Sequence, residues 1–204
     1  MHALQGDVGP WYAPSTKEFH LDRQSAKELV QIALRSYAEK HGGRAPRELF
    51  LHGRVRFNYE EWAGFRDAVS SATNLVGVRI HESKDIKIFR VGRHPVLRGL
   101  AYVRDPRTAY LWTKGFTPRL ATYPGREVPN PILIDVCKGE APIETVLKDV
   151  LALTKVNYNA ACKFSDGIPV TLRFADQIGE ILTAGPSHAR TPLKPPPLQF
   201  KYYI

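Results

Sequence analysis

The sequence predicts an α/β protein, and three observations predict it. Short runs of alternating or continuous apolar residues recur between longer runs whose apolar residues fall three and four apart. Capping and breaking residues stand at the junctions between them. Hydrophobic residues fill 43% of the 204 positions and charged residues 24%, enough apolar mass for one large core beneath a soluble surface.

The elements follow in order. Ser25-Ala26-Lys27-Glu28 has the form of a capping box, with Asp22 upstream as a rival cap, and Ala26, Leu29, Val30, Ala33 and Tyr37 then recur at helical spacing until Gly42-Gly43. Residues 48–57 (ELFLHGRVRF) read as a strand emerging from Pro46 and reaching a polar mouth at His52-Gly53-Arg54. Asn58 caps a second helix with Trp62, Phe65 and Val69 on one face, and residues 74–80 (NLVGVRI) form the next strand. Residues 85–91 (DIKIFRV) alternate polar and apolar and predict a strand. Residues 100–103 and 109–113 bracket Arg104-Asp105-Pro106-Arg107 as a hairpin, and 131–136 (PILIDV) reads as a central strand. Pro142 suits the first turn of a helix carrying Ile143, Val146, Leu147, Val150 and Leu151. A final helix from about Thr171 shows Leu172, Ala175, Ile178 and Leu182 and stops at Gly185-Pro186, before a proline-rich arm and apolar tail over 186–204.

Composition excludes several classes. No apolar run approaches the roughly 18 residues of a membrane span, and the first twenty positions hold Asp7, Pro10, Pro14 and Glu18 where a secretory signal would be apolar. Cys137 and Cys162 are too few and too isolated for a disulfide framework or a zinc site, which predicts structural thiols in a reducing cytoplasm.

Charge points to a partner. The net charge is +9, and residues 84–126 hold ten cations (Lys84, Lys87, Arg90, Arg93, Arg98, Arg104, Arg107, Lys114, Arg119, Arg126) against Asp85 and Asp105. A phosphate backbone rewards such a segment, because each neutralised phosphate releases condensed counterions. A solvated basic face, or an acidic protein or lipid partner, would carry the same charge.

Three blocks carry a family resemblance: Gly9-Pro10-Trp11-Tyr12, LFLHGRVRFNYEEW at 49–62, and above all residues 153–182, where LTKVNYN closes one helix, the linker ends in Gly167-Ile168-Pro169, and VTLRFADQIGEIL opens the next. This order resembles the end of a PIWI domain, the ribonuclease H-like half of an Argonaute protein, and is nearest to the short prokaryotic Argonautes. The resemblance implies a ribonuclease H-like α/β fold, a mixed sheet with helices on both faces. It treats residues 1–204 as the C-terminal portion of a PIWI domain whose N-terminal strands would precede Met1.

The resemblance also implies a guide-strand surface. Lys155, Asn157, Tyr158, Asn159, Lys163, Thr171 and Arg173 offer amides, hydroxyls and cations to a sugar-phosphate backbone, contacts that position a strand without reading it. Asn157 and Asn159 as helix caps, and Lys163 as a solvated loop lysine, are the plainer reading. Arg54 and Arg56 join the surface, and the C-terminal carboxylate of Ile204 is the family's contributor to a 5′-phosphate site.

Cleavage by this fold needs several carboxylates on two divalent ions. Asp176 occupies the family's last active-site position and is read as a relic. A helix N-terminal carboxylate or a salt-bridge partner for Arg173 accounts for it as well, ahead of a weak metal ligand or a catalytic group. Where cutting members place an aspartate at the end of the strand matching 49–53, this sequence has Leu51-His52-Gly53-Arg54. No motif supports Glu18 or Asp22 as the mobile glutamate of such a site.

The expectation is therefore a non-cleaving, guide-directed binding module with guide and target RNA or DNA as partners, acting in defence against invading DNA. No cofactor is required. Mg enters only at a guide 5′-phosphate site if a MID domain comes from another chain, and a second protein supplies that domain and the first PIWI strands, or an effector. The alternatives are an effector-docking scaffold without nucleic-acid affinity, and a nuclease completed by another chain.

Overall fold

A computed structural model of the protein describes residues 20–121, 123, 127–156 and 167–183, with side chains given as far as residue 177. In chain order the elements are α1 (Arg23–Lys40), β1 (Glu48–Gly53), α2 (Tyr59–Ala68), β2 (Asn74–Glu82), β3 (Ala101–Asp105), β4 (Thr108–Leu111), β5 (Ile132–Lys138), α3 (Ile143–Lys155) and α4 (Val170–Thr183). The chain divides into two compact units, one of Met1–Leu49, Phe57–Leu75 and Phe174–Ile204, the other of Phe50–Arg56 and Val76–Arg173.

In the first unit α1 and α2 pack together. Asp22, not Ser25, caps α1: its carboxylate accepts from the Ser25 N–H at 2.9 Å and from the Ser25 hydroxyl at 2.7 Å. The serine thus serves the aspartate, and the capping box is not formed. Asn58 caps α2 as predicted, accepting from the Glu61 N–H at 2.7 Å. Close approach of the helices depends on Gly64, where a Cβ would lie 2.2 Å from the Arg23 carbonyl oxygen and 2.9 Å from the Ala26 Cβ. Buried Glu61 receives the His20 ring nitrogen and the Leu21 N–H, so its carboxylate is hydrogen-bonded where it leaves water.

The second unit holds the five-stranded mixed sheet, in the order β1-β2-β5-β4-β3. β5 is the middle strand, as its continuous apolar run predicts, and it pairs antiparallel with both β2 and β4. The period-2 rule sorts the faces. Val76, Val78, Ile80, Ala109, Leu111, Ile132, Ile134 and Val136 form one core with Ile143, Val146, Leu147 and Val150 of α3 and Leu172 of α4. On the opposite face Val96, Tyr110 and Trp112 form a smaller cluster with Ile86, Ile88 and Leu133, and Arg79 stands across from Asp135 in the β2–β5 register.

Two predicted strands are corrected. β1 ends at Gly53, because Arg54, Val55 and Arg56 leave the ladder. Residues 85–91 form no strand. Their alternation instead records one-sided burial, with Ile86 and Ile88 turned to the Tyr110–Trp112 cluster and no neighbouring ladder to join. The hairpin forms over Arg104–Arg107, where Asp105 accepts from the Arg107 N–H at 2.9 Å and sets the turn. Pro142 occupies the N-cap of α3, one position ahead of its predicted first turn.

Candidate nucleic-acid interface

The sheet unit brings the end of β1 to the first turn of α4. His52 Nδ1 and Thr171 Oγ1 lie 2.9 Å apart and share a hydrogen bond. Burial pushes the His52 imidazole down to about 4 from its ordinary 6.5, a shift that the Asp149 carboxylate only partly opposes. At neutral pH His52 is therefore uncharged. α4 opens at Val170, with the Leu172 and Arg173 N–H groups both 3.0 Å from the Pro169 carbonyl oxygen and no acidic residue in its first turn. Thr171 is exposed and Arg173 half-buried on that turn.

Arg54 and Arg56 follow β1. Arg56 donates to Asp135 at 3.0 Å, its own side chain 70% exposed while the carboxylate is nearly buried. Beside this pair an Arg79 guanidinium nitrogen lies 3.1 Å from His81 Nε2. Since a guanidinium only donates, Nε2 accepts and the imidazole is neutral. Burial, then the Arg79 charge, lower the His81 pKa accordingly.

Lys155 closes α3 and is exposed. Arg98 donates to the Thr154 hydroxyl at 3.1 Å, placing a cation at the helix C-terminus, where the dipole favours it. Gly167 has φ +79°, and a Cβ there would lie 2.7 Å from the Thr113 hydroxyl and 2.8 Å from the Lys114 side chain. Glycine is required on both counts, and the linker's end rests on Thr113-Lys114.

Of the ten cations counted between 84 and 126, Arg126 lies outside the described residues and three of the other nine are committed to the protein itself. Arg98 holds Thr154, Arg104 pairs with Asp105 at 3.3 Å, and Arg107 donates to the Val136 and Gly139 carbonyls at 2.7 and 3.0 Å. Lys84, Lys87, Arg90, Arg93, Lys114 and Arg119 are exposed, and none forms an ion pair among the described residues. Six of the ten cations thus remain exposed and outside ion pairs among the described residues.

Several predicted residues lie outside the described residues: the Gly9–Tyr12 block, Asn157, Tyr158, Asn159, Lys163, Cys162, Glu18, Ile204 and the arm over 186–204. Asp176 is the seventh residue of α4 and half-buried. It sits past the first turn, beyond the reach of the helix dipole, which removes the N-terminal explanation for it. Among the described residues no three His, Cys, Asp or Glu side chains converge as a metal site would need. Sequence reasoning missed Asp135, Arg79 and His81. The available cue was Asp135 itself, a lone charge within an otherwise apolar central strand.

No protein-family model matches the sequence, and no curated protein matches it. Solved structures do match by shape. The architecture is an Argonaute-like fold. The chain is similar to Clostridium butyricum Argonaute bound to a guide DNA and a 19-mer target DNA, with TM-score 0.62 and 18% identity over 81% of this chain and 21% of that one. It is similar also to Marinitoga piezophila Argonaute in complex with a 5′-OH guide RNA (TM-score 0.57, 15% identity, 75% of this chain and 22% of that one). A third is Aa-Ago with externally bound siRNA (TM-score 0.56, 21% identity, 78% and 22%). The chain spans about a fifth of the length of each. The mixed α/β, ribonuclease H-like fold expected from the sequence is the one observed. No helix among the described residues is long and apolar enough to cross a membrane.

Proposed function

We propose that this chain is a guide-directed, non-cleaving nucleic-acid-binding module, the C-terminal portion of a PIWI domain of the short prokaryotic type, acting in cytoplasmic defence against invading DNA. The observation that carries the reading is the open, unpaired positive charge of the sheet unit on an Argonaute-like fold. Exposed Lys114 lies against the Gly167 position and exposed Lys155 closes α3, while Thr171 and the half-buried Arg173 stand at the start of α4. These are sequence-tolerant donors to phosphate and ribose oxygens. The three similar structures were solved with a guide DNA and target, a guide RNA and an siRNA.

The non-cleaving part of the reading rests on side-chain chemistry. A two-metal site needs converging carboxylates, and the described residues do not fit one. At the end of β1 stand a neutral His52 and the cations Arg54 and Arg56. Mg belongs only to a guide 5′-phosphate site completed by a MID domain on a second chain, and that chain, or an effector subunit, is the protein partner of this reading.

Binding is tested by fluorescence anisotropy with a 5′-phosphorylated oligonucleotide across a salt series. The parent should bind at about 50 mM salt with an affinity that falls steeply as salt rises. Lys114→Gln with Lys155→Gln should weaken every sequence alike and shallow the slope of log K against log salt by about 0.7 to 0.9 per lost contact. No binding at low salt, or a flat salt series, would remove the reading. Cleavage of a guide-matched target should not occur with magnesium or manganese; site-specific cuts abolished by Asp176→Ala would replace the binding module with a nuclease.

A further inference from the structure

Phe89 is 77% exposed and Val91 beside it wholly exposed, in a segment that is otherwise anchored. Ile86 and Ile88 turn inward to Val96, Tyr110 and Trp112, so the alternation leaves Lys87, Phe89 and Val91 outward. One end is tied by Ser83, whose N–H donates to the Pro131 carbonyl at 3.0 Å and whose hydroxyl fixes the turn by donating to Asp85 at 3.1 Å. The other is held by His94, stacked on Phe116 with ring centroids 4.0 Å apart. Between those ties the only anion is Asp85, whereas Lys84, Lys87, Arg90 and Arg93 are exposed and form no ion pair among the described residues.

An exposed phenylalanine within a run of exposed cations suits a particular partner. Protein–protein interfaces are depleted of lysine, so Lys84 and Lys87 in the same run as the ring argue against an apolar protein surface. Single-stranded nucleic acid presents both things the segment lacks, a π-face for the ring and phosphates for the cations. We propose that Phe89 is a stacking platform for an unpaired base of a bound strand, with Lys84, Lys87, Arg90 and Arg93 on the neighbouring phosphates. The pinned ends hold the ring out before a strand arrives, so little ordering entropy is lost on binding. This inference rests on the nucleic-acid reading above and adds to it a residue that prefers unpaired bases over duplex.

The test uses the full chain and a fluorescein-labelled single-stranded oligonucleotide of mixed sequence at about 50 mM salt, with a duplex of the same length for comparison. Phe89→Ala should weaken single-strand binding by about 5- to 150-fold, the loss expected for one stacked base, with the salt slope unchanged and the far-UV circular dichroism of the parent. Duplex binding should change less than twofold. Phe89→Trp should restore affinity and show indole quenching on binding, whereas Phe89→Leu should not restore it. Lys87→Gln with Arg90→Gln should instead shallow the salt slope. If the parent binds but Phe89→Ala binds within twofold of it, or Phe89→Leu rescues fully, the stacking platform is overturned while the nucleic-acid reading stands. If the parent binds neither oligonucleotide, the nucleic-acid reading falls and takes the platform with it.

Discussion

Trp112→Ala is expected to destabilise the sheet unit by about 3–5 kcal/mol, the usual cost of truncating a buried tryptophan. The side chain is fully buried at the end of β4, among Val96, Tyr110, Ile86, Ile88 and Leu133. Its Nε1–H donates to the Pro129 carbonyl at 3.2 Å, so alanine leaves a cavity and an acceptor without its donor. Against a typical domain stability of about 5–15 kcal/mol, the loss is a large share of the whole. Urea denaturation at pH 7.5, followed by far-UV circular dichroism since one of the three tryptophan fluorophores is removed, reads it as a lower midpoint. Trp112→Phe keeps most of the packing, loses the hydrogen bond, and should fall between the two. A midpoint shift in Trp112→Ala worth less than about 1 kcal/mol would mean that the ring fills no essential space.

Stability should also fall by up to about 3 kcal/mol as pH drops from 6.5 to 4, on account of His52 alone. Burial lowers the folded-state pKa of His52 to about 4, below the 6.5 of an exposed imidazole. The unfolded chain therefore takes up a proton that the folded chain refuses. The stabilisation is fully present above pH 6.5, and is lost progressively as pH falls through that window. His81, lowered in the same direction by burial and by Arg79, adds to the slope, so the decisive measurement is a difference. His52→Gln keeps a hydrogen-bonding group toward Thr171 but has no proton to take up. Its urea midpoints at pH 7.5, 5.5 and 4.5 should vary less than the parent's by the His52 share. Parallel profiles in the two proteins would show that His52 is solvated.

Much of the fold was legible because local chemistry and long-range packing agree. The Asn58 cap, the hairpin turn at Asp105 and the apolar run of β5 each have a short-range cause that the finished sheet keeps. Legibility failed where one pattern serves two outcomes. The alternation over 85–91 is what a strand would show, but also what an extended segment shows when one side rests on a cluster and no neighbour offers a ladder. Ser25 and Asp22 both read as caps, and only the folded backbone selected the aspartate, whose oxygens reach the Ser25 N–H and hydroxyl together.

The candidate site divides in the same way. Its charge was countable in the sequence, but a count does not separate cations that hold the protein together from cations that face outward. Arg98, Arg104 and Arg107 proved to be spent on Thr154, Asp105 and the Val136 and Gly139 carbonyls, partners up to 56 residues away in the chain.

What the sequence determined by itself was the α/β class, the central position of β5, the start of α2 and the basic character of residues 84–126. Each follows from periodicity, capping or composition, which act over a few residues. Only the tertiary structure decided that Arg56 reaches Asp135, that His52 loses its charge beside Thr171, and that Phe89 stays in solvent while Ile86 and Ile88 do not. Burial and pairing between distant residues depend on which surfaces the fold brings together, and the local sequence does not carry that information.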